Sequence, residues 1–468
     1  MKRNSIILLI TLLFFVLFPW MTTQAGKKIF LMADPHVMNP SLVDSPDNLA
    51  WQAYLANSKK MDDLSAPVMD RMTQLIISER PDLLLIAGDL TKDAEIESHD
   101  YITNKLTEIK EAGIPICVIP GNHDYSYQGE SQVYRNNTST HTKTVNKNLI
   151  PERYKDFGYG AGTEIHESTL SYAKQLWPGL TLIGIDTGQT AKIEEDAVTW
   201  VCKKAIEAQK KGDQVIVMMH HSLMPHIYWQ QTIHANSVIE DHENIRDQLM
   251  AAGVKVVLSA HYHVSDITRY TDAGGQEIYD ICTGSSISYP CDYRILTFDD
   301  QFKTLQISTK SLTDLEGYED FPSYAQDRLR TAVKIWTVKR FSGLGLENIG
   351  QLLADVVADI FIIHAEGNEP QNPKSEGIAE SLDTFPLMGI FGETMLSILG
   401  DYPSREEIEN VVNDRTLTIT MPEVPTAIRN VTAEQQTDGP WYTLQGIRLT
   451  GEPTQPGLYL HNGKVQIK

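Results

Sequence analysis

Asp34-Pro35-His36 closes an apolar run that begins at Lys28. Gly88-Asp89 closes a second run, Gly121-Asn122-His123-Asp124 a third, His220-His221 a fourth and His261-Tyr262-His263 a fifth. Carboxylate, carboxamide and imidazole in this mixture suit borderline metals such as Mn, Fe and Zn. The set is too nitrogen-rich for a calcium cage. It holds about twice the three protein ligands typical of a catalytic zinc. Two ions sharing a bridging carboxylate fit better. A pair about 3.5–4 Å apart clamps the attacking and leaving oxygens of an in-line displacement at phosphorus. Taken singly, each block also reads as an ordinary turn or a satisfied core histidine. Their joint order, each at the end of an apolar run, points to chemistry.

Those residues need elements that bring them to one place. The runs Lys28–Ala33, Leu83–Ala87, Ile116–Ile119, Leu180–Ile185, Val215–Met219 and Val254–Ser259 are short and mostly aliphatic, the pattern of buried strands. Amphipathic stretches at Pro67–Ser78, Ile96–Ala112, Glu194–Lys211 and Glu240–Ala252 lie between them and predict helices. The alternation predicts an α/β domain over residues 26–310. In open α/β sheets, sites form at the carboxyl ends of strands, which is where the polar blocks fall. Ile278–Cys282, Tyr293–Thr297 and Thr304–Ser308 predict a closing meander.

Residues 311–468 read differently, as an accessory domain, mainly helical and ending in short strands. Tyr324–Phe341 and Leu346–His364 predict long helices, and Glu380–Leu399 a third that Pro386 kinks or splits. Arg405–Val412 predicts a shorter helix. Arg415–Met421, Trp441–Thr450 and Leu458–Ile467 predict strands, the last folded into a hairpin at Asn462-Gly463. This region holds no cluster of His, Asp and Cys, so no chemistry is assigned to it.

The ordered series D-x-H, GD, GNHD, H and H-x-H resembles the calcineurin-like metallophosphoesterases over Asp34 to His263. That resemblance implies an α/β four-layer sandwich, two β-sheets flanked by helices, with a dinuclear centre at one edge. It implies that Asp34, His36, Asp89 and His263 hold one metal. Asp89 would bridge, and Asn122, His220 and His261 would hold the second. His123 is then not a ligand but the catalytic residue, donating a proton to the leaving oxygen or stabilising developing charge. The implied nucleophile is a water activated by the two ions. Of the neighbouring pair, His220 lies closer to the strand end and is taken as the ligand, with His221 lining the site or packing. The family's last block is usually G-H-x-H, and Ala260 stands in the glycine's place here. A methyl there is accommodated if the backbone φ is negative. Gly88–Glu95, Gly158-Tyr159-Gly160, Ser168–Tyr172 and the helical extension further resemble bacterial class III cyclic-nucleotide phosphodiesterases. Asp93 either orients His123 or is a solvated loop acid. His226, Tyr228 and His234 could contact substrate, with a surface loop as the default.

Lys2 and Arg3 precede an apolar run from Ile6 to Trp20, and Thr23-Gln24-Ala25 offers small residues for a signal peptidase. Residues 1–25 thus read as a cleaved export signal. No later segment reads as a membrane span, so no stable anchor is expected, and the mature chain is expected to be periplasmic or secreted. The formal charge of -21 becomes -23 once Lys2 and Arg3 are lost. Such acidity disfavours nucleic-acid polymers and anionic membranes. A small phosphate ester remains open as a partner, because bound cations reverse the sign locally. Cys117, Cys202, Cys282 and Cys291 show no C-x-x-C spacing, and Cys282 and Cys291 are close enough in sequence to pair. The leading expectation is a phosphodiesterase acting on a small diester such as a cyclic nucleotide. The alternatives are a phosphomonoesterase acting on nucleotides or sugar phosphates, and a catalytically silent metal-binding scaffold.

Overall fold

Strands that are apolar on both sides of the pleat must be covered on both faces. In the computed structural model, Ile216 and Met218 of the strand Gln214–Met219 face a core between two sheets. Val215, Val217 and Met219 face outward, under the helices Glu195–Lys210 and His242–Ala251. The other sheet is covered by Ser65–Glu79 and Ile96–Glu111, whose Val68, Met72, Ile102 and Leu106 are buried. The result is the expected sandwich of helix, sheet, sheet and helix. The structure describes residues 26–125, 131–227, 230–383, 389–399, 408–410, 413–423 and short pieces between 441 and 467. The expected leader, 1–25, lies outside them.

In the first sheet Lys28–Met32, Leu83–Ala87 and Ile116–Ile119 are mutually parallel. In the second, Leu180–Ile185, Gln214–Met219 and Val256–Ser259 are parallel. Parallel strands deliver their carboxyl ends to one edge, and all five polar blocks follow strands of these two sets. The expected closing meander is not one unit. Glu277–Cys282 runs beside Val256–Ser259 in the second sheet, while Asp292–Phe298 and Thr304–Ser311 belong to the first. Glu277–Cys282 is drawn there because Asp266–Thr271 pairs with it antiparallel, a strand the sequence reading omitted.

The C-terminal region contributes to both sheets. Ile408–Asn410 pairs with Asp266–Thr271, and Thr416–Thr420 pairs with Thr304–Ser311. The helix expected over 405–412 is therefore an edge strand at its three described residues. The long helices are Phe321–Ser342 and Glu347–Glu366. The third splits into Ser375–Asp383 and Gly389–Leu399, with Pro386 outside the described residues. The strands of the expected hairpin, Leu458–His461 and Lys464–Ile467, pair antiparallel. Glu347–Glu366 is long and apolar enough to cross a membrane by length and composition, contrary to the sequence reading. Its Leu353, Val357, Ile360 and Ile363 pack into the core of the extension, as in a buried core helix.

Arg294 joins the first sheet to this extension. It is fully buried and donates to the carbonyls of Cys282 (2.7 Å) and Asp414 (2.8 Å) and to Thr309 Oγ1 (2.7 Å). Arg294→Met keeps the bulk and strips donors from buried acceptors. It should lower unfolding free energy by about 3 kcal/mol, since an unsatisfied buried group costs about 1–3 kcal/mol. Urea unfolding of the full chain measures this, and a loss under about 1 kcal/mol would show that Arg294 is not a stabilising tie. All four cysteines are free and buried, so Cys282 and Cys291 do not pair.

Candidate metal centre

The strand ends turn sharply to aim their side chains at one point. Asp34, His36, Asp89, His261 and His263 all take left-handed backbone angles, with φ of 45°, 39°, 47°, 65° and 63°. Such conformations cost about 1–3 kcal/mol each in non-glycine residues and cluster at functional sites. Two glycines permit the approach. A Cβ on Gly88 would stand 2.4 Å from His220 Nδ1, and one on Gly121 would stand 2.2 Å from Asp89 Oδ1. Ala260 has no positive φ, so its methyl is accommodated, and its N–H donates to the His220 carbonyl at 2.9 Å.

The donors form two groupings that share one atom. In the first, His36 Nε2 lies 3.2 Å from His263 Nε2, and His263 Nε2 lies 3.7 Å from Asp34 Oδ1. In the second, His220 Nε2 lies 3.0 Å from Asn122 Oδ1 and 3.1 Å from His261 Nδ1. Asp89 Oδ2 stands between them, 3.4 Å from His36 Nε2 and 3.3 Å from His220 Nε2. Its other oxygen accepts the His123 N–H at 2.8 Å. His220 Nδ1 can only donate to the Ala87 carbonyl (2.9 Å), so in the neutral ring its Nε2 carries a lone pair. That lone pair faces the Asn122 and Asp89 oxygens and an imidazole nitrogen. The facing lone pairs of His220 Nε2 and the two oxygens repel one another unless a cation or proton sits among them. The donor set thus fits divalent metals, and its N/O chemistry matches that expected from the sequence.

The charges agree. Burial holds the imidazoles of His36 and His263 well below their usual range, and burial beside His220 lowers His261 to about 3. Neutral imidazoles are the ligating form. Burial also acts to lower His220, but Asp89 and Asp34 outweigh it and push this ring up to about 9. Without a metal a proton is the cation these carboxylates attract. His221 is fully buried and its donor atom falls in one group with those of His220 and His261, its ring centroid 4.3 Å from that of His261 and its Nδ1 2.6 Å from Thr187 Oγ1.

His123 stands beside the first grouping, its ring edge-on to His36 with centroids 4.9 Å apart, and its donor atom falls in one group with those of His36 and Asp89. Its Nδ1 lies 2.8 Å from Asp93 Oδ1. Asp93 is buried rather than a solvated loop acid. Burial would raise its carboxyl, but the bond from His123 and the Lys92 ammonium outweigh this and hold it below the usual range. Asp124 clamps the loops together, accepting the N–H groups of Gly121 (2.8 Å), Thr91 (2.9 Å) and Leu90 (3.1 Å).

A family model described as calcineurin-like phosphoesterase matches residues 27–265. The chain belongs to the calcineurin-like phosphoesterase family. A probable cyclic nucleotide phosphodiesterase from Fibrobacter succinogenes is 42% identical over 43 residues, covering 9% of this chain and 16% of that relative. The chain thus spans about a sixth of the length of the curated relative it matches. Among solved structures, a dimetal phosphatase from Danio rerio is similar at 13% identity and a TM-score of 0.40, over 62% of this chain and 97% of that one. A purple acid phosphatase from yellow lupin seeds is similar at 12% identity and a TM-score of 0.41, over 61% of this chain and 52% of that one.

This phosphoesterase carries further site residues absent from the sequence reading. Lys60 Nζ lies 3.2 Å from His36 Nδ1 and lines the cavity over the donors. Tyr262, between two of the expected ligands, bonds His364 Nε2 through its hydroxyl at 3.0 Å, and His364 Nδ1 bonds the buried Glu369. Asp266, His364 and Glu369 form a further buried donor group. The polar stretch after His220 is not a plain surface loop. His226 is fully buried with Nδ1 3.0 Å from Asp266 Oδ1, and His234 lines the cavity. Tyr228 lies outside the described residues.

Proposed function

We propose that the protein is an exported, metal-dependent phosphoric ester hydrolase with two metal sites, acting on a small phosphodiester of the cyclic-nucleotide class. The observation that carries this reading is Asp89 Oδ2 standing between two donor groupings, with the His123 ring beside His36 and its backbone N–H on Asp89. Asp34, His36, Asp89 and His263 would hold one ion, and Asp89, Asn122, His220 and His261 the other. Bound there, two cations supply Lewis-acid charge to phosphoryl oxygens and lower the pKa of water. His123, oriented through Nδ1 by Asp93, presents Nε2 to the leaving oxygen as proton donor. Lys60 adds a cation near the substrate's phosphate. Export rests on the leader pattern of residues 1–25. The diester preference draws support from the short similarity to a probable cyclic nucleotide phosphodiesterase.

With Mn added, the full mature chain should cleave bis(p-nitrophenyl) phosphate with higher kcat/KM than p-nitrophenyl phosphate. A strong preference for the monoester would replace this reading with a phosphomonoesterase. No turnover of either would favour the silent scaffold.

A further inference from the structure

Four of the donors, His36, Asp89, His261 and His263, line a cavity of about 360 Å³ and make up its polar floor. His36, Asp89 and His123 line it from below. The C-terminal extension also lines it and supplies a wall, by way of Leu329 on Phe321–Ser342 and Phe361 on Glu347–Glu366. Tyr262 and Tyr289 complete the lining between floor and wall. Phe361, Tyr262 and Tyr289 are each only partly buried while packing against the core of the extension. They therefore combine anchored positions with some accessible surface.

Hydrogen bonds to the main domain hold this wall in place. Arg328 grips Asp63 with two bonds of 3.0 Å, and Tyr289 donates to Glu366 Oε1 at 2.7 Å. Tyr262 bonds His364, as above. Lys59 lies 5.6 and 5.9 Å from the ring centroids of Trp336 and Phe361, putting a cation near the aromatic wall. A wall tied at several points is preorganised, so a ligand meeting it does not bear the cost of ordering it. Polar floor and aromatic wall together define what fits. Phosphate is drawn to the floor, and the organic group must offer the wall a flat apolar face.

We infer that the C-terminal extension selects the substrate, with Phe361 as the main specificity-determining residue, and that the favoured ester carries a planar ring of nucleobase type. This rests on the phosphoesterase reading above and assigns the residue that would recognise the ring of the substrate class proposed there. A sugar phosphate without a ring base has nothing to stack on Phe361.

The test is equilibrium binding to the full mature chain loaded with Mn, using adenosine monophosphate, phenyl phosphate, ribose 5-phosphate and inorganic phosphate. Adenosine monophosphate should bind about tenfold tighter than ribose 5-phosphate, the size of one base–aromatic stack. Phenyl phosphate should fall between them, separating a nucleobase site from a general aryl site. Phe361→Ala should erase the preference while leaving inorganic phosphate affinity unchanged, and Phe361→Trp should restore it. Equal binding of adenosine monophosphate and ribose 5-phosphate to the wild-type chain would overturn the inference and leave the phosphoesterase reading standing. So would a Phe361→Ala chain that loses phosphate and nucleotide affinity alike. Failure of inorganic phosphate to bind at all would instead remove the phosphoesterase reading on which the inference rests. If Phe361→Ala does not fold, the wild-type comparison still decides.

Discussion

Asp89→Asn should lose turnover by about a thousandfold and retain fewer than two metal ions per chain. The substitution is nearly isosteric. An asparagine Oδ1 can still accept the His123 N–H that Asp89 accepts at 2.8 Å, so the loop keeps its anchor. What disappears is one negative charge at the atom both donor groupings share. A unit charge about 4 Å from a cation in an effective dielectric of about 20 is worth about 4 kcal/mol. At 1.36 kcal/mol per decade, that is about three decades of rate. Elemental analysis of the purified variant, beside its circular dichroism, separates metal loss from unfolding. A folded Asp89→Asn chain with two ions and wild-type turnover would remove Asp89 from the bridging role.

The donors of this centre were legible because each follows a strand end by only a few residues, and parallel strands carry their ends to one edge. Residue type and order therefore sufficed to expect that Asp34, Asp89, Asn122 and the histidines converge. The left-handed backbone angles at five of these positions leave no trace in composition, since a non-glycine residue does not announce a positive φ. The cavity wall was not legible either. Phe361 lies in a helix whose apolar pattern reads as ordinary core, and most of that helix is core. That Phe361 reaches the cavity depends on how the helix pair docks, and contacts such as Arg328 to Asp63 help set that. Residues 265 positions apart in sequence cannot show this in any local window. The edge strand at Ile408–Asn410 was missed for the same reason. Three residues take extended structure because the exposed edge of Asp266–Thr271 offers them partners.

His123→Ala should lower turnover by about 10²–10⁴-fold, the usual contribution of a positioned general acid, while the metal content stays as in the wild type. The prediction separates His123 from the surrounding histidines, whose loss should release metal. His123 is bound through Nδ1 to Asp93, so a proton given to the leaving group would have to come from Nε2. If proton donation is its task, the defect must depend on the leaving group. p-Nitrophenolate departs readily without a proton, so His123→Ala should be least impaired on bis(p-nitrophenyl) phosphate. An alkoxide, as in opening a ribose 3′,5′-cyclic diester, needs the proton most, so the defect should be largest there. Asp93→Asn keeps the ring but weakens its orientation, and should cost about 10–100-fold, with the same dependence on leaving group. Equal losses on aryl and alkyl esters would reassign His123 from proton donor to electrostatic stabiliser of the phosphoryl oxygens. Loss of metal along with activity would make it part of the ion-binding shell, which its grouping with His36 and Asp89 would allow and its 2.8 Å tie to Asp93 argues against.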